Sequence, residues 1–339
     1  MRNFTGAVPN LVLAQRVIDK MVAGAKQFVA DETGEAMVGI VDPGAQTGVP
    51  TIYVLDTIPP DETNVVREYY MFQQGDERQY EIFTWLNANW KTERKKLGAG
   101  SDRKYDAPLM HVGDWHKQPG FMTAPSRGDL MSALAQIEDS DDTEFLLVPI
   151  VTLEHETAEA VTGANYLYVA DGNGKHLRID FWYIARGLRD FLPVLPTVYP
   201  DAQVPPMTPL PWHLAHAERA ADEISALERD GFLVSPIIFW EIDGEAPLEI
   251  CLMMARAGED KMLIVTTHHD YPQRAPRIYQ APFAAMGEDD DWYDVFEALW
   301  RDAKLVDAPH DWTPDSTLID RVYAMENRTR PVSDSQGKD

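Results

Sequence analysis

Across 339 residues the chain has a single cysteine, Cys251. That excludes an intramolecular disulfide and a thiolate zinc cluster, and it is the usage expected in a reducing compartment. Positive charge is also scarce: Lys and Arg total 30 against 55 Asp and Glu, a formal net charge of −25. A surface this acidic repels phosphate backbones and anionic membrane faces, so neither nucleic acid nor membrane is an expected partner. No stretch approaches the roughly 20 uninterrupted apolar residues of a membrane span. Met1 to Pro9 lacks the basic region and apolar run of a signal peptide. The expected location is therefore cytoplasmic.

What remains is a globular composition, 45% hydrophobic and 25% charged, on a chain long enough for two domains. Proline is concentrated between Pro193 and Pro211, at a density no helix or central strand tolerates. This predicts a linker over 193–211 between a first domain at 1–192 and a second at 212–330, with a disordered polar tail at 331–339. No internal repeat is visible.

Hydrophobic periodicity predicts a mixed α/β (α+β) chain. In the first domain, Leu11, Ala14, Val17, Ile18, Met21, Val22, Ala25 and Phe28 recur at helical spacing, predicting a helix from Asn10 to about Ala30. Strands are expected at 36–41 and 51–58, a helix at 75–97, and a loop through Gly98-Ala-Gly100. A strand at 109–115, a helix at 129–137 and one buried strand at 145–153 follow. Asp171-Gly-Asn-Gly174 marks a hairpin between 165–169 and 176–182. The second domain reads as a helix at 212–229, three strands at 233–242, 248–255 and 262–267, a proline-bounded loop, and helices near 292–304 and 315–327.

One segment concentrates chemistry. His116-Lys-Gln118 is followed by seven residues, then Ser126-Arg-Gly-Asp129, with Gly113-Asp-Trp before it and Pro119-Gly120 after it. Glu32 stands seven residues before Gly39 upstream. Each residue has an ordinary structural explanation. Ser126-x-x-Asp129 before an apolar helix is a capping box, a histidine after a tryptophan is commonly structural, and a glutamate at a helix end is commonly solvated. Together, at this spacing, they resemble the JAB/MPN (JAMM) zinc metallopeptidase family. Its pattern is an upstream Glu, then His-x-His, seven residues, Ser, two residues and Asp. The resemblance covers about the first 190 residues and implies a cytidine-deaminase-like fold. It also implies zinc held by His116 and Asp129, Glu32 as general base and Ser126 as oxyanion donor. Such a metal activates a bound water that a carboxylate deprotonates.

Gln118 stands where that family has its second histidine. A neutral amide oxygen is a poorer zinc donor than imidazole, so metal held by His116, Gln118 and Asp129 would bind more weakly. His111 lies on the opposite face of an extended strand from His116 unless a bulge intervenes. His155, after the buried strand ending at Leu153, stays open as a substitute. His155-Glu156-Thr-Ala-Glu159 is not a zincin motif, because the second histidine is absent.

The second domain's helix, strand meander and Tyr271-Pro272-x-x-x-Pro276 loop resemble the ubiquitin-conjugating (UBC) fold and its non-catalytic RWD relatives. No cysteine follows Pro276, and Cys251 lies in an apolar strand, so this half is expected to bind and not to conjugate. His268 and His269, as strand neighbours, point to opposite faces and are expected to be structural. Together the resemblances imply a component of a bacterial-type ubiquitin-like system. Its partners would be a ubiquitin-like protein or its conjugates, and conjugation-system enzymes. The chain would be a zinc-dependent isopeptidase or peptidase, or else an inactive scaffold of the same fold that binds the modifier or a conjugation partner. A weaker third reading is a metal-dependent hydrolase of another small amide, with the second domain serving dimerisation.

Overall fold

The computed structural model describes residues 8–96, 105–156, 158, 161–242, 244, 246–284, 290–306 and 311–326. The chain is mixed α/β and divides into two compact units, Met1–Met207 and Thr208–Asp339. The loop expected at 98–100 and the tail at 331–339 lie outside the described residues. Among the described residues, no helix is long and apolar enough to cross a membrane.

The first unit begins with β1 (Asn10–Ala14), α1 (Gln15–Gln27), β2 (Thr33–Asp42) and β3 (Thr51–Ile58). The hairpin β4 (Val66–Glu68) and β5 (Met71–Gln73), α2 (Asp76–Lys96), β6 (Met110–Lys117) and α3 (Arg127–Asp139) follow. The rest is β7 (Phe145–Leu147), β8 (Ile150–His155), β9 (Tyr166–Ala170), β10 (His176–Asp180), β11 (Trp182–Ala185), β12 (Leu192–Pro193) and β13 (Pro196–Tyr199). One large sheet runs in the order β12-β11-β7-β6-β2-β3-β1-β13, with β8 also beside β6 and carrying β10 and β9. Helix α1 packs Val17, Ile18, Met21 and Ala25 as its buried stripe.

In the first unit three expectations need correction. The helix expected from Asn10 begins only at Gln15, because residues 10–14 form a parallel strand between β3 and β13. Leu11 to Ala14 are all buried, and a short apolar run buried on both faces has the same periodic signature as a helix segment. The strand expected over 145–153 is two strands separated at Val148-Pro149, which lets β7 pair with β11 while β8 pairs with β10. The proline-rich stretch is not a free linker over its whole length. Residues 196–199 form β13, an edge strand where proline's missing N–H costs no ladder bond.

The second unit contains α4 (Trp212–Ala215), α5 (Ala217–Arg229), β14 (Phe232–Val234), β15 (Ile238–Trp240), β16 (Glu249–Arg256), β17 (Lys261–Thr267) and β18 (Arg277–Pro282). It closes with α6 (Trp292–Asp302), β19 (Lys304–Val306) and α7 (Leu318–Glu326). The expected strand 233–242 breaks at Ser235-Pro236, and both pieces pair with β16. β18 and β19 extend the sheet beyond the three expected strands. The core gathers Ile238, Cys251, Met253, Ile264 and Phe296.

Candidate functional site

Strand β6 carries the site, and its backbone shape sets which side chains converge. Gly113 sits at φ 133, and the pairing with β2 slips there, so Val112 is an extra residue. A Cβ at Gly113 would meet the Leu147 carbonyl oxygen at 2.0 Å, so only glycine allows β7 to approach. This bulge reverses the face parity anticipated for His111. That residue bonds Asp114 through Nε2 at 3.2 Å, and a side-chain pair three apart on one face needs the extra residue between them. Burial pulls the His111 pKa down, but the Asp114 carboxylate outweighs it and the net shift is upward. His111 is thus engaged with Asp114 and does not complete a set with His116.

Beyond the bulge, β8 runs parallel to β6. The His116 N–H donates to the Pro149 carbonyl and the Gln118 N–H to the Val151 carbonyl, both at 3.0 Å. The two residues therefore present neighbouring side chains on one face. Opposite them, α3 starts with a complete capping box. The Ser126 hydroxyl accepts from the Asp129 N–H at 3.2 Å, and Asp129 Oδ2 accepts from the Ser126 N–H at 2.5 Å. The capping function and the convergence are compatible, because Asp129 Oδ2 accepts from both the Ser126 N–H and the Gln118 amide while Oδ1 lies toward His116.

The centre of the site is an amide. Gln118 Nε2 lies 3.2 Å from His116 Nε2 and 3.2 Å from Asp129 Oδ2, so its two N–H groups bridge the imidazole and the carboxylate. His116 Nε2 and Asp129 Oδ1 are 3.6 Å apart. Burial holds the His116 pKa below its ordinary value against the opposing pull of Asp129 and Asp114, which favours the neutral ring, and in the tautomer with Nε2 unprotonated that nitrogen accepts from the amide. Gln118 Oε1 is buried without a hydrogen-bond partner. With Nε2 unprotonated and no cation between them, turning the amide over would put three acceptors face to face; the orientation present avoids this and leaves the oxygen orphaned.

Glu32, Gln118, Ser126 and Asp129 line one cleft of about 300 Å³, whose walls include Tyr70, Met71 and Phe72 from the β4–β5 hairpin. Burial raises the Glu32 pKa, the Asp129 carboxylate raises it further, and Lys117 opposes both. All five residues singled out in the sequence are therefore brought together. The hairpin walls were not anticipated, and neither was the burial of Lys117 on the face of β6 away from His116. The signal for Lys117 was available: it lies two residues from the fully buried Trp115, on the same strand face.

His155 does not join the set. Its Nε2 meets the Thr152 hydroxyl at 2.8 Å, and its ring packs against Phe121 and Tyr168. Among the described residues, no group of three or more His, Cys, Asp and Glu is arranged to hold a metal ion. Two ligands about 2.05 Å from a tetrahedral zinc stand roughly 3.3 Å apart, and His116, Asp129 and the end of the Gln118 side chain, 3.2 to 3.6 Å from one another, have serviceable spacing. The third position offers N–H groups that donate where a metal needs a lone pair. A half-turn of the same amide would present Oε1, the poorer zinc donor expected from the sequence.

No family model matches the chain, and no curated protein does. Among solved structures it is similar to the solution structure of protein DSY2949 from Desulfitobacterium hafniense. The identity is 13% over 57% of this chain and 96% of that one, with a TM-score of 0.32, a likeness that carries no argument.

In the second unit, Tyr271 is buried between Trp212 and Trp312, with ring centroids 4.7 and 5.6 Å away. Its hydroxyl donates to Glu223 at 2.5 Å, and Glu223 also accepts from the Leu318 N–H and pairs with Arg219. The Tyr-Pro loop thus ties α5, α7 and the sheet together. Cys251 is fully buried, and burial raises its thiol pKa well above the ordinary value, as an inert thiol requires. His268 and His269 do not alternate, since they follow the end of β17. Their rings pack 4.1 Å apart, and His268 bonds Asp270.

Proposed function

We propose that this protein is a scaffold. Its first unit has the JAB/MPN architecture with the metal position closed by Gln118, and it binds a ubiquitin-like modifier or its conjugates. The second unit, of UBC/RWD type without a catalytic cysteine, recruits a conjugation partner. The observation that carries the reading is the Gln118 amide, whose two N–H groups meet His116 Nε2 and Asp129 Oδ2 at 3.2 Å. Hydrogen bonds there satisfy the two acceptors that a metal otherwise satisfies. The acidic surface suits a modifier with basic residues around its tail.

One observation favours a second reading, a zinc-dependent isopeptidase or peptidase. Glu32, with its raised pKa, shares a cleft with Ser126 and Asp129, an arrangement no capping role needs. Metal content separates the two. Wild type, Gln118→His and Asp129→Ala are equilibrated with micromolar zinc, desalted and assayed for zinc per chain. The scaffold reading expects little zinc in the wild type and near-stoichiometric zinc in Gln118→His, which restores a third ligand, the second imidazole nitrogen. Near-stoichiometric zinc in the wild type, lost in Asp129→Ala, overturns it in favour of the peptidase.

A further inference from the structure

Toward the start of β6 lies a cavity of about 370 Å³ that the Gln118 cluster does not border. Its floor is Ala36, Val38 and Ile58, all buried. Helix α2 supplies Gln79, Tyr80 and Phe83, α3 supplies Gln136, and β6 supplies His111 and Asp114. Residues three and four apart share a helix face, so Gln79, Tyr80 and Phe83 form one wall. The Tyr80 ring is 72% exposed, so the core does not need it.

A chain of hydrogen bonds fixes the polar groups. Gln79 Nε2 donates to the Ile58 carbonyl at 3.0 Å and to Gln74 Oε1 at 2.6 Å. Gln74 Nε2 donates to Asp114 Oδ1 at 3.0 Å, the oxygen that His111 Nε2 meets at 3.2 Å. A backbone carbonyl at one end and a carboxylate at the other leave both amides only this orientation. Two oxygens come out unmatched: Gln79 Oε1 and Asp114 Oδ2 accept nothing among the described residues. Neither is sealed from solvent, unlike Gln118 Oε1. Gln79 is 8% exposed, and Asp114 sits on a central strand between β2 and β7, so both oxygens are reached through the cavity they line. Because the same Gln74 amide bonds both side chains, their ends are held next to each other.

Two open acceptors, one of them on a carboxylate, beside an aromatic wall and over an apolar floor, call for a flat cation with several N–H groups. A guanidinium has that form. It is planar, carries five donors in a fork, stacks on aromatic faces and is weakly hydrated. An ammonium is a compact, strongly hydrated charge that gains less from such walls. His111 donates to Asp114 as a neutral ring as well as a charged one, so the carboxylate's charge remains available to a ligand. The net charge of −25 draws cations toward the opening. We propose that this cavity binds a guanidinium group, which donates to Asp114 Oδ2 and Gln79 Oε1 and lies against the Tyr80 ring. The site holds under either reading of the Gln118 cluster, because its binding groups include neither His116, Gln118 nor Asp129.

The test titrates the full chain, by ligand-observed NMR, with three compounds: N-acetylarginine amide, N-acetyllysine amide and N-acetylcitrulline amide. The citrulline urea is a neutral copy of the guanidinium. The wild type should bind the arginine amide at least about tenfold more tightly than either of the others, the scale of one hydrogen bond between charged groups. Tyr80→Ala, which removes an exposed ring, should weaken the arginine amide about threefold. Asp114→Asn keeps an acceptor for His111 and Gln74 but not the charge, and should abolish the preference for arginine over citrulline. If Asp114→Asn does not fold, the three compounds on wild type and Tyr80→Ala decide. Equal affinity for the arginine amide and either of the others overturns the proposal, as does no binding of the arginine amide. So does an arginine affinity unchanged in every folded variant, which would mean adsorption to the acidic surface at large. Agmatine against the peptide Ac-Gly-Arg-Gly-amide then assigns the source. Tighter agmatine points to a free metabolite and tighter peptide to a protein arginine, and both uphold the guanidinium site.

Discussion

Gly113 and Gln118, five residues apart on and beyond one strand, decide what the site can do. Gly113 makes the bulge, and its Cα faces the Leu147 carbonyl too closely for any side chain. Gly113→Ala should cost on the order of 3 kcal/mol, from positive-φ strain and overpacking together, read by urea denaturation. Glu32 offers a pH test. A carboxyl with a raised folded pKa keeps its proton after the unfolded chain has lost its own. Stability is therefore greatest below its ordinary value of 4.5 and falls as pH rises through the folded pKa. Glu32→Gln removes that penalty, so its melting temperature should exceed the wild type's at pH 7 and match it at pH 3.5. The five candidate residues were legible in the sequence as a spaced set. The bridging amide was not, because hydrogen-bond partners depend on rotamers that spacing does not contain.

Among the elements, β1 and α1 show where periodicity fails. Leu11 and Ala14 fall on the helical stripe of Val17, Ile18 and Met21, yet residues 10–14 form a strand buried on both faces. Only the neighbours β3 and β13, distant in sequence, distinguish the two conformations. The hairpin across Asp171-Gly-Asn-Gly174 was legible because its turn chemistry is local: both glycines have positive φ and Asp171 accepts the Asn173 N–H. In α4, burial without a partner for Nδ1 drives the His213 pKa down to about 4. The unfolded chain takes up this proton near the ordinary 6.5, whereas the folded chain does so only near 4. Stability is thus lost as pH falls between those values. His213→Phe should lessen the drop in urea midpoint between pH 7 and pH 4.5.

For the whole molecule, the boundary between units falls after Met207, and the strand formed by Pro196–Tyr199 covers the open edge of β1. A fragment ending at residue 207 should unfold cooperatively by circular dichroism. One ending at 192 exposes that edge and should show a lower melting temperature and a tendency to associate. Equal stability of the two fragments would mean the edge strand contributes nothing.

The sequence by itself determined the mixed α/β class, the lack of any disulfide, the acidic surface, and the set of Glu32, His116, Gln118, Ser126 and Asp129. These follow from composition, local turn and capping chemistry, and spacing, all of which are properties of the chain alone. Tertiary structure decided that residues 10–14 extend, that the Gly113 bulge turns His111 to Asp114, and that Lys117 is buried. It also decided that Gln118 points its N–H groups where a metal would need a lone pair. Each of these depends on which distant backbone or side chain lies within about 3 Å, the range over which hydrogen bonds act.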